Sequence, residues 1–521
     1  MVPKKIITIL LSVFLPLCVS AQEEWTIQRG DCLPTGLPKH SYANTTRLAG
    51  PRRQPAIYNE WDATKTYHQL VVLLEFSDLQ FSIENPQEFY NSILNEPGYN
   101  SGSGPGCAAE YFRTQSNGLF NLQFDVYGPY AVSQKAVPYD EPTASTRNHG
   151  CASFREAAQK LVEEHPDIDF SQYDWNNDGE VNQVIFVYAG YGGNNGSKTY
   201  GHIWPNTASF SSIPTPDGKI LSNYSASAEL WPTSTLRSCG IGTICHEFTH
   251  SLGLPDIYPT NGWCVSACDE WDLMDGGNFT NYGWCPPNYT PIEKMLLGWL
   301  TPIELTEPAS IVNLKPVSEG GEVYIADYTP IPTDDEEQPS EARAYDEGKA
   351  CVLIENRQQT QWDAGTPGSG LMVWYLDYDA SAWRNNGPNN RSGNPRFCPI
   401  YADGMDYDAW KAKLAEEGTT NPYQNKNRMN SWILSTSPYP FGEKNAVEEC
   451  QISNITIDDM GNASFDFMGG DPSAIRTVSS TTSSSASVRY DLSGRQVTVP
   501  AKGQMYIVRQ ADGMTKIVIE K

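Results

Sequence analysis

Long apolar runs are what this chain of 521 residues most plainly lacks: beyond its N-terminal segment, no stretch approaches the ~20 apolar residues that a membrane-spanning helix requires. Positive charge is also short. Lys and Arg total 36 against 62 for Asp and Glu, a net charge of −26 that repels polyanions and sets aside nucleic acid and anionic membrane surfaces as partners. Histidine is scarcer still, with 7 in all, so a close and regular spacing of two carries information. Cysteine, by contrast, occupies 12 positions.

The N-terminus has the three parts of a signal peptide: the basic pair Lys4 and Lys5, an apolar core from Ile6 to Leu17, and the small-residue stretch Val19-Ser20-Ala21. Residues 1–21 are expected to be removed and the mature protein to be secreted or held at the cell surface. A lipid anchor on Cys18 is the alternative, poorly served by the bulky Leu17 before it. Without Cys18, 12 − 1 = 11 cysteines remain in a compartment that permits disulfides, and the odd number leaves at least one thiol outside any internal pairing. Cys264 and Cys268 are expected to form a local disulfide, since no second ligand pair follows to complete a zinc knuckle.

A chain of this length holds more than one domain. Residues 22–66 are polar, rich in Pro and Arg, and without period, which suggests an N-terminal extension or propeptide. Residues 67–300 alternate strand and helix patterns: a buried strand at Leu70–Phe76, helices near Ala108–Ser116 and Ser153–Glu164, and a second strand at Val184–Tyr188 running into flexible Ala189–Gly193. That alternation predicts an α/β or α+β catalytic domain. Residues 301–470 turn to short β-type runs between Gly, Pro and Asn clusters, a β-rich accessory region. A linker at 471–487, containing the Ser/Thr tract 479–485, leads to a small β module at 488–521.

The chemistry concentrates in His246-Glu247-Phe248-Thr249-His250. On a helix, residues four apart lie about 40° apart around the axis and ~6 Å along it, so both imidazoles can reach one ion. Glu247 then stands beside the metal without ligating it, where a carboxylate can take a proton from a water attacking a carbonyl. Gly253 can adopt the positive φ that ends the helix and returns the chain, bringing Asp256 as third ligand and leaving one position open, as catalytic zinc requires. His202 or Asp272 is the alternative third ligand, and Met274, in Trp271-Asp272-Leu273-Met274, can floor the site.

These segments resemble the immune-inhibitor-A-like M6 family of bacterial secreted metallopeptidases. Leu73–Asp78 is similar to its opening strand, Glu110–Gly118 to its "YYRENSYG" helix, His246–Tyr258 to its zinc motif, Trp271–Met274 to its "WSLM" turn, and Leu296–Trp299 and Ile354–Arg357 to two later segments. The resemblance implies a metzincin-like fold with a zinc-binding active-site helix, with His246, His250 and Asp256 on zinc, Glu247 as general base and Met274 as the Met-turn residue. Thr249 departs from the family's glycine before the second histidine. Tyr258 or Tyr282 is a candidate to stabilise the oxyanion. The last segment, through Tyr490–Arg495 and Lys502–Ile507, is similar to the C-terminal sorting modules of Bacteroidetes exported proteins, which implies an outer-membrane export machinery as partner.

Asp174, Asn176, Asp178, Glu180 and Asn182 place oxygens at alternate positions around Gly179, as a calcium loop does, although the twelfth position is Ile185 rather than a bidentate Glu. An Asx-rich turn is the plainer alternative. Cys32 is a candidate latency thiol or an ordinary disulfide partner. The function expected is zinc-dependent endopeptidase action on extracellular proteins, against two alternatives: a surface-binding protein on a peptidase scaffold, and a zinc hydrolase of a non-protein amide.

Overall fold

Alternation along the first strand explains how the catalytic unit is layered. In β1, Thr66–Glu75, Leu70, Val72 and Leu74 enter one buried cluster while Val71 and Leu73 enter another, so the strand is covered on both faces. This is the period of two that a strand imposes. A computed structural model describes residues 61–136, 149–193, 203–231, 236–262, 266–327, 350–366, 368–391, 395–399 and 452–470, with strand backbone at 475–477, 488–490, 496–497, 505–509 and 515–519.

β1 is an interior strand of a five-stranded sheet of order β2-β1-β3-β5-β4, formed with Asn121–Ala131 (β2), Val184–Tyr191 (β3), Asn206–Pro214 (β4) and Ile220–Leu230 (β5). Four strands run parallel, and β4 lies antiparallel to β5 at the edge. One face is packed by Phe154, Ala157, Ala158 and Leu161 from the helix His149–Glu164. The other is packed by Tyr111 and Phe112 of the helix Ala108–Gln115 and by Phe248 of the helix Gly242–Ser251, which carries the two spaced histidines. The second strand runs on to Tyr191 rather than loosening at Ala189, and Gly190 donates its N–H to Oε2 of the buried Glu229 at 2.8 Å.

The β-rich region supplies two further sheets. Ile303–Glu304 (β6), Tyr324–Asp327 (β8), Cys351–Arg357 (β9), Gly370–Leu376 (β10) and Phe397–Pro399 (β11) form one of order β11-β10-β9-β8-β6; Ala309–Leu314 (β7), Ile452–Ile457 (β12), Ala463–Phe467 (β13) and Ile475–Thr477 (β14) form the other, of order β12-β13-β7-β14. β14 lies within the expected linker and pairs parallel with β7. β9 and β10 are buried at every position. Leu353, Met372 and Trp374 join the cluster beneath the histidine helix, while Val352, Ile354, Leu371 and Val373 face Ile311, Leu314, Ile455 and Phe465 of the other sheet. One apolar core thus runs across residue 300 without a break. Backbone at Val488–Tyr490, Gln496–Val497, Met505–Arg509 and Thr515–Ile519 forms a separate four-stranded antiparallel sheet.

Arg357, at the end of β9, ties these layers together and is fully buried. Its guanidinium contacts Glu355 at 3.1 Å and Asp363 at 2.7 Å, and donates to the carbonyls of Trp271 and Asn288 at 3.4 and 3.3 Å. Removing the cation leaves two buried carboxylates facing each other, which costs roughly 3–5 kcal/mol for a broken buried pair. Arg357→Met is therefore expected to lower unfolding stability by about that amount in urea titrations; a loss below about 1 kcal/mol, the range of an exposed pair, would contradict the reading.

Candidate metal centre

The histidine helix starts where no side chain would fit. A Cβ on Gly242 would lie 2.0 Å from the carbonyl of Asn278, so its first turn is packed against the backbone of the Gly276–Gly283 loop. Every residue of the helix is buried. Gly253 takes φ 94 and donates to the carbonyl of His250 at 2.9 Å, so the chain turns back as its sequence position predicts. That turn delivers Asp256, also fully buried.

The imidazoles are oriented by backbone. His246 Nδ1 lies 2.8 Å from the carbonyl of Leu273, and His250 Nδ1 lies 2.9 Å from that of Leu254. A carbonyl only accepts, so each Nδ1 carries a proton and Nε2 is the ring nitrogen left facing inward, the atom that would ligate a metal. Both Nε2 atoms stand 3.3 Å from Asp256 Oδ1. A tetrahedron with arms of ~2.0–2.1 Å, the zinc–ligand distance, has edges of roughly 3.3–3.4 Å. Among the described residues these three side chains alone form a His/Cys/Asp/Glu group able to hold a metal ion, and His250 Nε2 and Asp256 Oδ1 are buried without a hydrogen-bond partner. The donor set fits one cation.

Electrostatics agree with that geometry. Burial opposes charge on Asp256, yet the adjoining His250 and His246 hold its carboxyl well below the usual carboxylate range. Burial likewise opposes charge on His246, but its hydrogen bond to Asp256 and the nearby carboxylates raise it to about 9. The pocket attracts positive charge.

Glu247 is buried on the same helix, and burial holds its carboxyl above the ordinary range against the lowering effect of the two histidines. The hydroxyl of Thr207, on edge strand β4, lies 2.9 Å from Glu247 Oε2 and 2.8 Å from its main-chain oxygen. Thr207 was not legible in sequence, because only the pairing of β4 with β5 brings it there. Thr249 points away: its hydroxyl donates to the carbonyl of Cys245 at 2.6 Å and meets the hydroxyl of Tyr289.

The Trp271–Asp275 turn supports the site from below. Leu273 supplies the carbonyl that orients His246, Met274 accepts from the N–H of Ile257 at 2.8 Å, and the Met274 side chain is fully buried. Asp272 is not part of the metal group; its Oδ1 accepts from the N–H of Met274 at 2.6 Å. Tyr258 is buried, and the ring of half-buried Tyr282 carries the Arg237 guanidinium at 4.0 Å. His202, Cys32 and Cys264 lie outside the described residues. Cys107, Cys239, Cys245, Cys268 and Cys285 are free thiols among the described residues, and the expected Cys264–Cys268 disulfide falls on a residue, Cys264, outside them.

Calcium is not supported. The loop carrying Asp174, Asn176, Asp178, Glu180 and Asn182 is closed by its own hydrogen bonds: Asp174 accepts from the N–H groups of Asp178 and Gly179 at 3.1 and 2.9 Å, and Asn182 from that of Trp175. The Lys219 ammonium sits 2.7 Å from Asp174 Oδ2. A resident cation side chain supplies the charge that an ion would bring, which leaves an Asx-rich turn.

Fold and site together define a buried trio of potential metal ligands with a buried carboxylate beside it, on a helix packed against a mixed sheet. Residues 57–294 match the model of the family described as Immune inhibitor A peptidase M6, catalytic domain. The chain is 26% identical over 267 residues to Immune inhibitor A of Bacillus thuringiensis subsp. alesti, a stretch covering 43% of this chain and 38% of that protein. It is 21% identical over 235 residues to the Pre-pro-metalloprotease PrtV of Vibrio cholerae serotype O1 (strain M66-2), covering 39% of this chain and 26% of that one. The chain thus aligns with well under half the length of either relative.

A second buried pair lies beneath the turn. Asp272 and Glu293 are interacting buried carboxyls, and burial, before their mutual repulsion, pushes Asp272 well above the carboxylate range. Burial raises Glu293 to about 7, against hydrogen bonds from Thr290, the interaction with Asp272 and the Arg357 charge. Because the folded value exceeds the ~4.3 of an unfolded Glu, the proton's contribution to stability is complete below about pH 4.3 and is lost as pH rises through about 7. Glu293→Gln supplies a neutral donor in place of the proton, so its stability is expected to fall less than wild type between pH 5.5 and 8 in urea unfolding. An unchanged pH slope would exclude a raised Glu293 carboxyl.

Proposed function

We propose that the chain is a secreted zinc-dependent endopeptidase acting on extracellular proteins. The observation that carries the reading is that His246 Nε2 and His250 Nε2 each lie 3.3 Å from Asp256 Oδ1, all three within 4.8 Å of one another, with Glu247 buried on the same helix. The match to a peptidase family and the metalloprotease named among the relatives support it. His246, His250 and Asp256 hold the zinc, which when bound polarises the scissile carbonyl and makes a water acidic enough to react near neutral pH.

Glu247 takes the proton from the attacking water and returns it to the leaving amine. Its environment suits both steps: burial lifts its affinity for a proton, and the Thr207 hydroxyl fixes Oε2. The turn at Met274 holds His246 and the Asp256 loop in one rigid frame, which keeps the ligand geometry from relaxing. Export rests on the signal-peptide pattern of residues 1–21, and delivery through an outer-membrane machinery on the motif after residue 488. Among the described residues no helix is long and apolar enough to cross a membrane. A binding-only role gives no reason to bury a proton acceptor beside the metal ligands.

Glu247→Ala is expected to lower hydrolysis of a quenched protein substrate by at least ~10²–10⁴-fold while one zinc per chain remains bound. A chelator should silence the wild type and added zinc should restore it. Substantial turnover by the Glu247→Ala protein would sink the general-base assignment, and chelator-resistant cleavage would sink the metal.

A further inference from the structure

The third candidate ligand is gripped by a segment 130 residues further on. Asn386 Oδ1 accepts the backbone N–H of Asp256 at 2.6 Å, and Asn386 Nδ2 donates to Asp256 Oδ2 at 2.7 Å. The assignment of O and N is forced, because a backbone N–H only donates and so must face the amide oxygen. Asn386 is buried and sits at φ 52, a left-handed conformation that asparagine tolerates better than most residues. Neither Asp nor Leu could replace both bonds: the first lacks the donor and the second lacks both groups.

The surrounding turn holds the same loop at every step. Asn389 donates to the carbonyls of Ile257 and Phe397 at 2.7 and 2.8 Å. Asn390 Oδ1 accepts from the N–H of Asn261 at 3.1 Å, and the Thr260 hydroxyl donates to the carbonyl of Asn386 at 2.7 Å. The turn is itself anchored by the short helix Ala380–Arg384, N-capped by the Asp379 carboxylate and buried through Trp383, and Gly387 donates back to Ala382 at 2.9 Å. All of it lies beyond residue 294, where the family match ends.

We propose that Asn386 is a positioning residue of the metal centre, supplied by the β-rich region. By occupying Oδ2 it restricts Asp256 to one ligating oxygen, Oδ1, and by holding the Asp256 backbone it sets where that oxygen stands. The complete site therefore needs the segment that follows the matched catalytic stretch. This rests on the metal reading above. It adds a cause for the four-coordinate geometry: a carboxylate with both oxygens free can bind a cation through either or both.

The test uses the full mature chain and two variants that keep the left-handed backbone. Asn386→Asp keeps the shape but sets a second carboxylate against Oδ2, and Asn386→Gly removes the side chain. Asn390→Ala, in the same turn but not touching Asp256, is the control. Zinc affinity is read by competition with a chromophoric chelator, and ligand geometry by the visible spectrum of the cobalt(II) form. Both Asn386 variants are expected to bind zinc ~10–100-fold more weakly, the usual effect of losing a partner of a metal ligand, and to show an altered cobalt spectrum. Asn390→Ala should keep wild-type affinity and spectrum. A merely structural role would lower the melting temperature of all three metal-free variants and leave the cobalt spectrum unchanged, which overturns the proposal. Wild-type affinity in both Asn386 variants overturns it while leaving the metal reading intact. No zinc uptake by wild type removes the metal reading, and the proposal with it.

Discussion

One constraint governs this molecule: the Asp256 carboxylate must stay ionised in a buried site, 3.3 Å from the Nε2 atoms of two imidazoles. Desolvating a charge is expensive, and the cost is borne only when opposite charge and hydrogen bonds surround it. Each neighbour answers part of that demand. The Leu273 and Leu254 carbonyls fix both imidazoles so that Nε2 faces the carboxylate, the two rings hold it ionised, and Asn386 donates to the second carboxylate oxygen. Two imidazole nitrogens and one carboxylate oxygen form a donor set that a cation such as zinc fits.

Rigidity follows from the way the layers share a core. The histidine helix is buried at all ten positions, the parallel sheet backs it, and the β9–β10 layer closes the other side through Leu353, Met372 and Trp374. Arg357 links β9 to the Trp271–Asp275 turn, and that turn orients His246. Packed side chains and hydrogen bonds thus connect β9 and β10 to the turn that orients His246.

The central features were legible because each rests on a short-range rule. A four-residue histidine spacing, a glycine placed to reverse the chain, and the continuous apolar runs at Leu70–Leu74 and Val184–Val187 all act within a few residues of themselves, and the structure carries each where expected. Strands β4 and β5 were not legible. Their sequences are dominated by Ser, Ala and Asn, and burial of Ser225, Ala226, Ser227 and Ala228 follows from close neighbours rather than from hydrophobicity. Thr207, Asn386 and the Lys219 partner of Asp174 share that limit, since each acts on a residue 40 or more positions away. The calcium pattern has the same limit: alternating oxygens were visible, and the lysine beside Asp174 was not.

X-ray absorption at the zinc edge of the purified mature protein tests the central claim most directly. The account predicts one zinc with four light ligands at ~2.0–2.1 Å, two of them showing the multiple scattering of imidazole. A sulfur shell at ~2.3 Å, or a third imidazole, would contradict the assignment of His246, His250 and Asp256.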